Sequence, residues 1–282
     1  MGIITRTAKE IVRHMLHRAA ADVAMDQIRR WRGIPTAYLR GSVSERFSSI
    51  YRTEAWSRWG GGAPGSGTGS TLEITGSIRA ELPLLLRQLG CETILDIGCG
   101  DFNWMQHLNV DARYIGVDIA EEVIAINRAV YANERREFHL LDATRHVLPD
   151  ADVVICREVL FHLGFDDIFR LLRNIVSKPR SYFIATTDVA TLFNSDIRSG
   201  DFRILNLERP PFRFPKPHHA VSDDALVAGR RLAAWSIDQL RMLPSLRNTA
   251  APNGNMQGAQ QVLSGPPLRR LDMRAAQYTL HR

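Results

Sequence analysis

Short apolar runs recur through the middle of the chain, each followed by a stretch with helical spacing. Thr93–Ile97, Tyr114–Val117, Glu137–Leu141, Asp152–Cys156 and Ser181–Thr186 read as strands. Phe102–Leu108, Glu121–Tyr131 and Asp166–Val176 read as the helices between them. The consecutive apolar residues Val153, Val154 and Ile155 leave no polar face, as in a parallel sheet covered on both sides. This alternation predicts an α/β fold: a doubly wound sheet with right-handed crossovers and helices on both faces. His218–Ser222 and Arg231–Ile237 supply two last strands.

The flanks follow other patterns. Thr7 to Arg32 reads as a basic amphipathic helix, with Ile11, Met15, Leu16, Ala19 and Val23 on one face and Arg13, Arg18, Arg29 and Arg30 elsewhere. Residues 1–44 form a basic helical extension on this reading. It either packs on the main domain or lies on a membrane surface. Phe47–Tyr51, Trp56 and Trp59 precede a small-residue tract, Gly60 to Ser70, and a helix from Ile74 to Leu89. A Gly/Ser tract is a flexible linker or, between aromatics and a good helix, a lid. The segment 194–217 carries Asp196, Asp201, Arg203 and the run Pro210-Pro211-Phe212-Arg213-Phe214-Pro215-Lys216-Pro217. Its prolines exclude helix and central strand, and a loop after a strand's carboxyl end belongs at the ligand crevice. Residues 241–282 lack periodicity and read as a poorly ordered tail.

Composition adds limits. The 282 residues are 45% hydrophobic and 23% charged, with a net charge of +6 spread along the chain. A nucleic-acid partner is not demanded by so mild a charge. Cys91, Cys99 and Cys156 form no CxxC pair and no metal-ligand spacing, so no metal is expected and a reducing cytoplasm is the natural compartment. No apolar run is long enough for a membrane span.

The chemistry starts at Asp96-Ile97-Gly98-Cys99-Gly100, where a strand ends in an acid and two glycines. The glycines allow close backbone approach to a ligand. A dinucleotide fingerprint would have a third glycine where Asn103 stands. Asp96 is awkward beside a pyrophosphate and apt beside an ammonium or sulfonium group, which favours S-adenosylmethionine over a nicotinamide dinucleotide. Asp118 closes the second strand, 20 residues after Gly98, where an acid accepts from ribose hydroxyls. It also suits a helix N-cap. Asp142 closes the third strand as a partner for an adenine amino group or as a turn residue.

With those acids in place the chain resembles the class I S-adenosylmethionine-dependent methyltransferases. Asp96 to Gly100 is similar to their first motif, Asp118 and Asp142 to the acids of their second and third strands, and Val153 to Leu163 to their fourth-strand motif. Phe47–Tyr51, Trp56, Ser66–Ser70, Gly100–Met105 and Asp196 through Pro217 resemble a bacterial subgroup without a general acceptor assignment. The likeness covers about residues 45–240 and implies a Rossmann-like, seven-stranded sheet with a reversed last hairpin. It implies that Asp96 and the Gly98-Cys99-Gly100 backbone hold the methionine moiety and that Asp118, with Ile119 beside it, holds the ribose. Asp142 with Ala143 would hold the adenine, and Cys156 would contribute main-chain contacts. Phe102 departs from the broader family, many of whose members have a third glycine there.

An oxygen acceptor needs a base. Glu158 and His162 follow the fourth strand, four residues apart, and His162 suits proton transfer near neutral pH; a histidine packed between Phe161 and Leu163 is the competing reading. Arg157 pairs with Glu158 or binds an acidic acceptor. Trp56, Trp104, Asp196, Asp201 and Arg203, with nearby aromatics, would suit a small-molecule or glycan acceptor. The rival functions are a nicotinamide-dependent oxidoreductase and a non-catalytic protein retaining the fold. The Asn/Asp-Pro-Pro-Tyr/Phe signature of amino methylation is missing at Cys156-Arg157-Glu158-Val159, which argues against base methylation of nucleic acid.

Overall fold

The computed structural model describes residues 3–19, 22–32, 36, 39–59, 61, 64–178 and 181–247. Its centre is a seven-stranded sheet: β1 (Thr93–Ile97), β2 (Arg113–Asp118), β3 (Arg136–Leu140), β4 (Val153–Cys156), β5 (Tyr182–Asp188), β6 (His219–Ser222) and β7 (Arg230–Ser236). The spatial order is β3-β2-β1-β4-β5-β7-β6. Strands β3, β2, β1, β4 and β5 pair in parallel, and β7 runs antiparallel between β5 and β6. The chain order reverses between β1 and β4, so the crevice of this sheet lies beyond their carboxyl ends.

Alternation sends side chains to two cores. Leu95, Ile97, Ile115, Val117, Val154 and Cys156 pack on one face with α7 (Phe165–Val176). Ile94, Tyr114, Phe138, Val153 and Ile155 pack on the other with α5 (Gly76–Gln88) and α6 (Glu121–Tyr131). Burial on both faces explains why these strands read as apolar runs rather than as alternating ones.

The expected helix at Phe102–Leu108 is a set of turns with a 3-10 segment at Met105–His107. Phe102 explains the interruption. It adopts φ +57°, the left-handed region that the missing third glycine would have favoured. Its ring is held against Tyr114, Tyr131 and Phe138, with centroids 4.8, 5.2 and 5.1 Å away. That aromatic burial offsets a conformation costing about 1–2 kcal/mol.

The basic N-terminal stretch is two helices, α1 (Ile3–Arg18) and α2 (Asp22–Trp31). Met15 is 64% exposed rather than on a buried stripe, because the inward face of α1 is polar. Glu10 is buried there and meets the hydroxyl of Ser195, and Arg6 reaches the carbonyl of Ala190. Helices α3 (Val43–Arg52) and α4 (Ala55–Trp59) follow, α3 opened by a reciprocal capping box between Ser42 and Glu45. At the other end, α8 (Ile237–Arg241) and α9 (Pro244–Arg247) pack on α7 with Leu246 buried. Residues 248–282, the bulk of the expected tail, lie outside the described residues, as do Gly60 and residues 62–63 of the small-residue tract.

Candidate functional site

A crevice of about 990 Å³, counting its open mouth, lies over the carboxyl ends of β1, β2, β3 and β4. Gly98, Cys99, Gly100, Asp118, Ile119, Asp142 and Ala143 line one side, and Trp56, Trp104, Arg157, Glu158 and His162 line the other.

Backbone geometry brings the first set together. Gly98 and Gly100 take φ of +70° and +56°. A Cβ on Gly98 would sit 2.4 Å from Val159 Cγ2, and one on Gly100 2.2 Å from Ser66 Oγ. The turn then closes on Asp118, whose Oδ2 accepts from Gly100 N at 3.1 Å and whose Oδ1 accepts from Ala120 N at 3.0 Å. Burial raises the Asp118 carboxyl above its ordinary value, against the pull of these backbone donors. Each of its oxygens keeps a lone pair for a hydroxyl donor. Asp142 is both turn residue and crevice residue: its Oδ1 accepts from Thr144 N at 2.9 Å and Thr144 Oγ1 at 2.7 Å.

Asp96 does not line the crevice. It is 5% exposed, and its Oδ2 accepts from the Tyr114 hydroxyl at 2.7 Å. Burial pushes its pKa up to about 7, so it is no full negative charge at neutral pH. The reading of three carboxylates facing one crevice is corrected to two, Asp118 and Asp142, with Asp96 behind the glycine turn. The reason is the pleat: at position 96 the strand points its side chain to the α5 and α6 face, where Tyr114 stands. Cys156 likewise buries its thiol in the α7-side core and is not a lining residue.

The other side of the crevice is aromatic and charged. His162 Nδ1 is 2.9 Å from the carbonyl oxygen of Asp201. A carbonyl only accepts, so Nδ1 carries the hydrogen and Nε2 keeps its lone pair. The ring stacks on Trp56 at 4.9 Å and meets Phe161 and Phe202 at 4.8 and 5.6 Å. Burial pushes its pKa down to about 4, so the ring is neutral at neutral pH. Glu158 sits at φ +59°, its N–H donating to Thr186 Oγ1 at 2.9 Å and its Oε1 accepting from Arg230 Nη1 at 2.7 Å. Arg157 makes a two-pronged pair with Asp223 at 3.1 and 2.9 Å and lies over the Trp104 ring at 5.3 Å. Its nearest acid is therefore Asp223, not Glu158, whose Oε2 is 3.9 Å away.

Asp196, Asp201 and Arg203 are not brought to the crevice. Asp196 Oδ1 accepts from Phe165 N at 2.8 Å, and Asp201 Oδ2 pairs with Arg13 at 3.0 Å and Arg29 at 2.5 Å. Arg203 is 1% exposed and donates to the carbonyls of Ser195, Leu160 and Leu163 at 3.1, 2.9 and 2.6 Å. Phe212 and Phe214 are buried in the core. These residues bind this loop to its own chain, so their assignment to substrate is corrected.

Several crevice residues lie in segments that carried the resemblance but were given no role in the sequence. Tyr51 lines it and lies 3.3 Å from Ser66 Oγ. Ser66 N donates to Asp101 Oδ2 at 3.1 Å, Asp101 N donates to Ser66 Oγ at 2.9 Å, and Asn103 Nδ2 donates to the Ser70 carbonyl at 2.7 Å. The small-residue tract is thus tied to the glycine turn over Ser66–Ser70. Asn127, fully buried, donates to the Gly100 carbonyl at 2.7 Å. Val43 and Phe47 of α3 complete this wall, of which Phe47–Tyr51, Trp56 and Ser66–Ser70 were marked in the sequence by resemblance.

Among the described residues no group of three or more His, Cys, Asp or Glu side chains is placed to hold a metal ion, and no helix is long and apolar enough to cross a membrane.

Comparison with known proteins finds a domain likeness in the middle of the chain. Residues 95–185 match the family model described as a methyltransferase domain. A search of curated proteins finds no match. Part of the chain is similar to solved structures. Human N-acetylserotonin methyltransferase in complex with SAM is 19% identical, with 66% of this chain and 52% of that one covered at a TM-score of 0.43. The N-methyltransferase NodS from Bradyrhizobium japonicum WM9 is 14% identical, with 58% and 96% covered at 0.44. The PH0226 protein from Pyrococcus horikoshii OT3 is 24% identical, with 44% and 63% covered at 0.37. The chain thus spans about half the length of the human enzyme. The match over residues 95–185 covers the glycine turn, Asp118, Asp142 and the β4 end, the elements that build the crevice. Residues 95–185 are thus similar to a methyltransferase domain, and its methyl acceptor is unassigned.

Proposed function

We propose that this protein methylates an oxygen of a small molecule, with His162 taking the proton. The observation that supports the reading is the His162 ring: Nδ1 is held by the Asp201 carbonyl, which leaves Nε2 as a proton acceptor on a crevice wall beside Trp56.

The donor set fits the cofactor. The Gly98–Gly100 turn leaves no room for a Cβ, and two carboxylates stand at the ends of β2 and β3. Asp118 and Ile119 would hold the ribose, Asp142 and Ala143 the adenine end, and the Gly98-Cys99-Gly100 backbone the methionine moiety. S-adenosylmethionine supplies a methyl group on a sulfonium, whose departure leaves a neutral thioether. The protein's work is alignment and exclusion of water. Trp56, Trp104, Phe47 and Tyr51 form the apolar wall against which a flat or ring-shaped acceptor is positioned. A pKa of about 4 makes His162 a weak resting base. It is adequate in the displacement itself, because the hydroxyl becomes strongly acidic as its oxygen forms a third bond, to the transferred methyl carbon, and its proton passes to Nε2 as the neutral thioether leaves. Glu158, tied to Arg230, is a contact for a second polar group of the acceptor. The glycan reading rested on the 194–217 loop, whose residues serve elsewhere, so a compact hydroxylated acceptor is favoured.

Incubation with methyl-labelled cofactor and fractionated lysate, read for label in the small-molecule fraction, tests the reading. Once an acceptor is found, His162→Ala should lower kcat at least 100-fold with cofactor Kd unchanged. Label confined to protein or nucleic acid, or an unchanged kcat, contradicts it.

A further inference from the structure

The strongest unexplained feature is the layer of charge between α1, α2 and the 196–203 segment. Arg13 on α1 and Arg29 on α2 converge on one carboxylate oxygen, Asp201 Oδ2. Asp26 on α2 accepts two bonds from Arg198 at 3.0 and 2.8 Å. His14 Nδ1 accepts from Asp196 N at 3.1 Å, and Glu10 reaches Ser195. These contacts from residues over 170 positions away in sequence thus fall on seven consecutive residues, Ser195 to Asp201. Two guanidinium groups from two helices on one carboxylate are more than is needed to dock a surface helix.

Asp201 is also the residue whose carbonyl holds His162. Around it, Gly200 N donates to the His162 carbonyl at 2.8 Å and Arg203 N to that of Phe161 at 3.0 Å. The inner edge of the segment is therefore bonded to the turn that carries the histidine, and its outer edge to the two helices.

We propose that the α1–α2 pair positions the candidate base: Arg13 and Arg29, by gripping the Asp201 side chain, set the Asp201 peptide whose carbonyl holds the His162 ring in one tautomer. This inference rests on the reading of His162 as the proton acceptor for its meaning in catalysis, although the positioning itself does not depend on it. Arg13 and Arg29 are positioning residues and touch no part of the crevice. Their removal leaves the segment attached from inside by Arg203 and its three carbonyl bonds, so the fold persists while the Asp201 peptide gains freedom. Burial lifts the Asp201 carboxyl, and Arg13 and Arg29 more than reverse it, so the carboxyl titrates below its ordinary value and stays charged at neutral pH. The charged groups around the His162 ring are Glu158, Arg203 and Asp201.

The test is nitrogen NMR of the histidine rings in the full chain without cofactor or acceptor. The wild type should show His162 as a single Nδ1–H tautomer that titrates well below pH 6. In Arg13→Ala/Arg29→Ala the ring should average between tautomers and its midpoint should rise by at least one pH unit. Arg13→Lys/Arg29→Lys should restore most of the wild-type behaviour. Arg241→Ala, which removes bonds to the Val176 and Lys178 carbonyls far from His162, should lower Tm without moving the ring. An unchanged His162 signal in the folded double-alanine variant overturns the proposal, as does an equal shift in Arg241→Ala. If the double variant does not fold, Asp201→Asn takes its place, and an unmoved ring there is equally fatal. An unchanged kcat in His162→Ala would remove the base assignment alone and leave this result standing.

Discussion

The carboxyl ends of β1, β2 and β3 line the crevice, the 194–217 loop stands behind its His162 wall, and the two are built in different ways. The first is local and made of backbone. Gly98, Gly100, Asp118 and Asp142 lie within 45 residues of one another, and positive φ, close approach and strand-end position dictate the residue types. The second is made of side chains that find partners far away, such as Asp201 with Arg13 and Arg29, and Arg203 with the Leu160 and Leu163 carbonyls. Polar residues in a loop after a strand suggest ligand contacts, yet here they satisfy their own chain. A buried guanidinium or carboxylate needs partners whether or not a substrate is present.

Substitutions that separate the two regions should do so in order of size. Gly98→Ala places a Cβ against Val159 and strains a φ of +70°. It should destabilise the protein by about 2–4 kcal/mol in urea unfolding and abolish cofactor binding in the folded fraction. Arg203→Met strips three buried carbonyls of their donor. A loss of about 3 kcal/mol is expected, with cofactor Kd in the folded protein unchanged. A parallel rise in Kd would show the regions to be coupled.

The pH dependence of stability carries opposite signs on the two sides. The His162 pKa of about 4 lies below its ordinary 6.5. Between those values the unfolded chain binds the proton and the folded one does not, so stability falls as pH drops from 6.5 to 4. The Asp96 value of about 7 lies above its ordinary 3.8. There the folded chain holds the extra proton, and stability falls as pH rises from about 4 to 7. His162→Gln should remove the first slope and Asp96→Asn the second in urea titrations across that window. The smallest effect belongs to Asp142→Ala. Its carboxylate is already shared with Thr144, so cofactor affinity should drop by about 1 kcal/mol in calorimetry.

The sheet was legible because apolar runs covered on both faces look alike in any register. The two last strands emerged from the runs His218–Ser222 and Arg231–Ile237, close to the observed β6 and β7, while the reversal of their hairpin came only with the family resemblance. The glycine turn was legible because only backbone freedom explains Gly98 and Gly100. What was not legible depends on direction. Nothing in the run Asp96-Ile97-Gly98 tells which face of the strand position 96 occupies, and the strand turned it to Tyr114. Nor could spacing show that Met15 faces outward while Glu10 faces in, since that depends on Ser195, 185 residues on.

The most direct measurement is calorimetric titration of S-adenosylmethionine into the wild type, Asp118→Ala and Asp201→Asn. The strand-end carboxylate should matter and the loop carboxylate should not: Asp118→Ala is expected to weaken binding by about 1–3 kcal/mol, with Asp201→Asn within error of the wild type. Equal affinity in wild type and Asp118→Ala, or a larger loss in Asp201→Asn, would contradict the account.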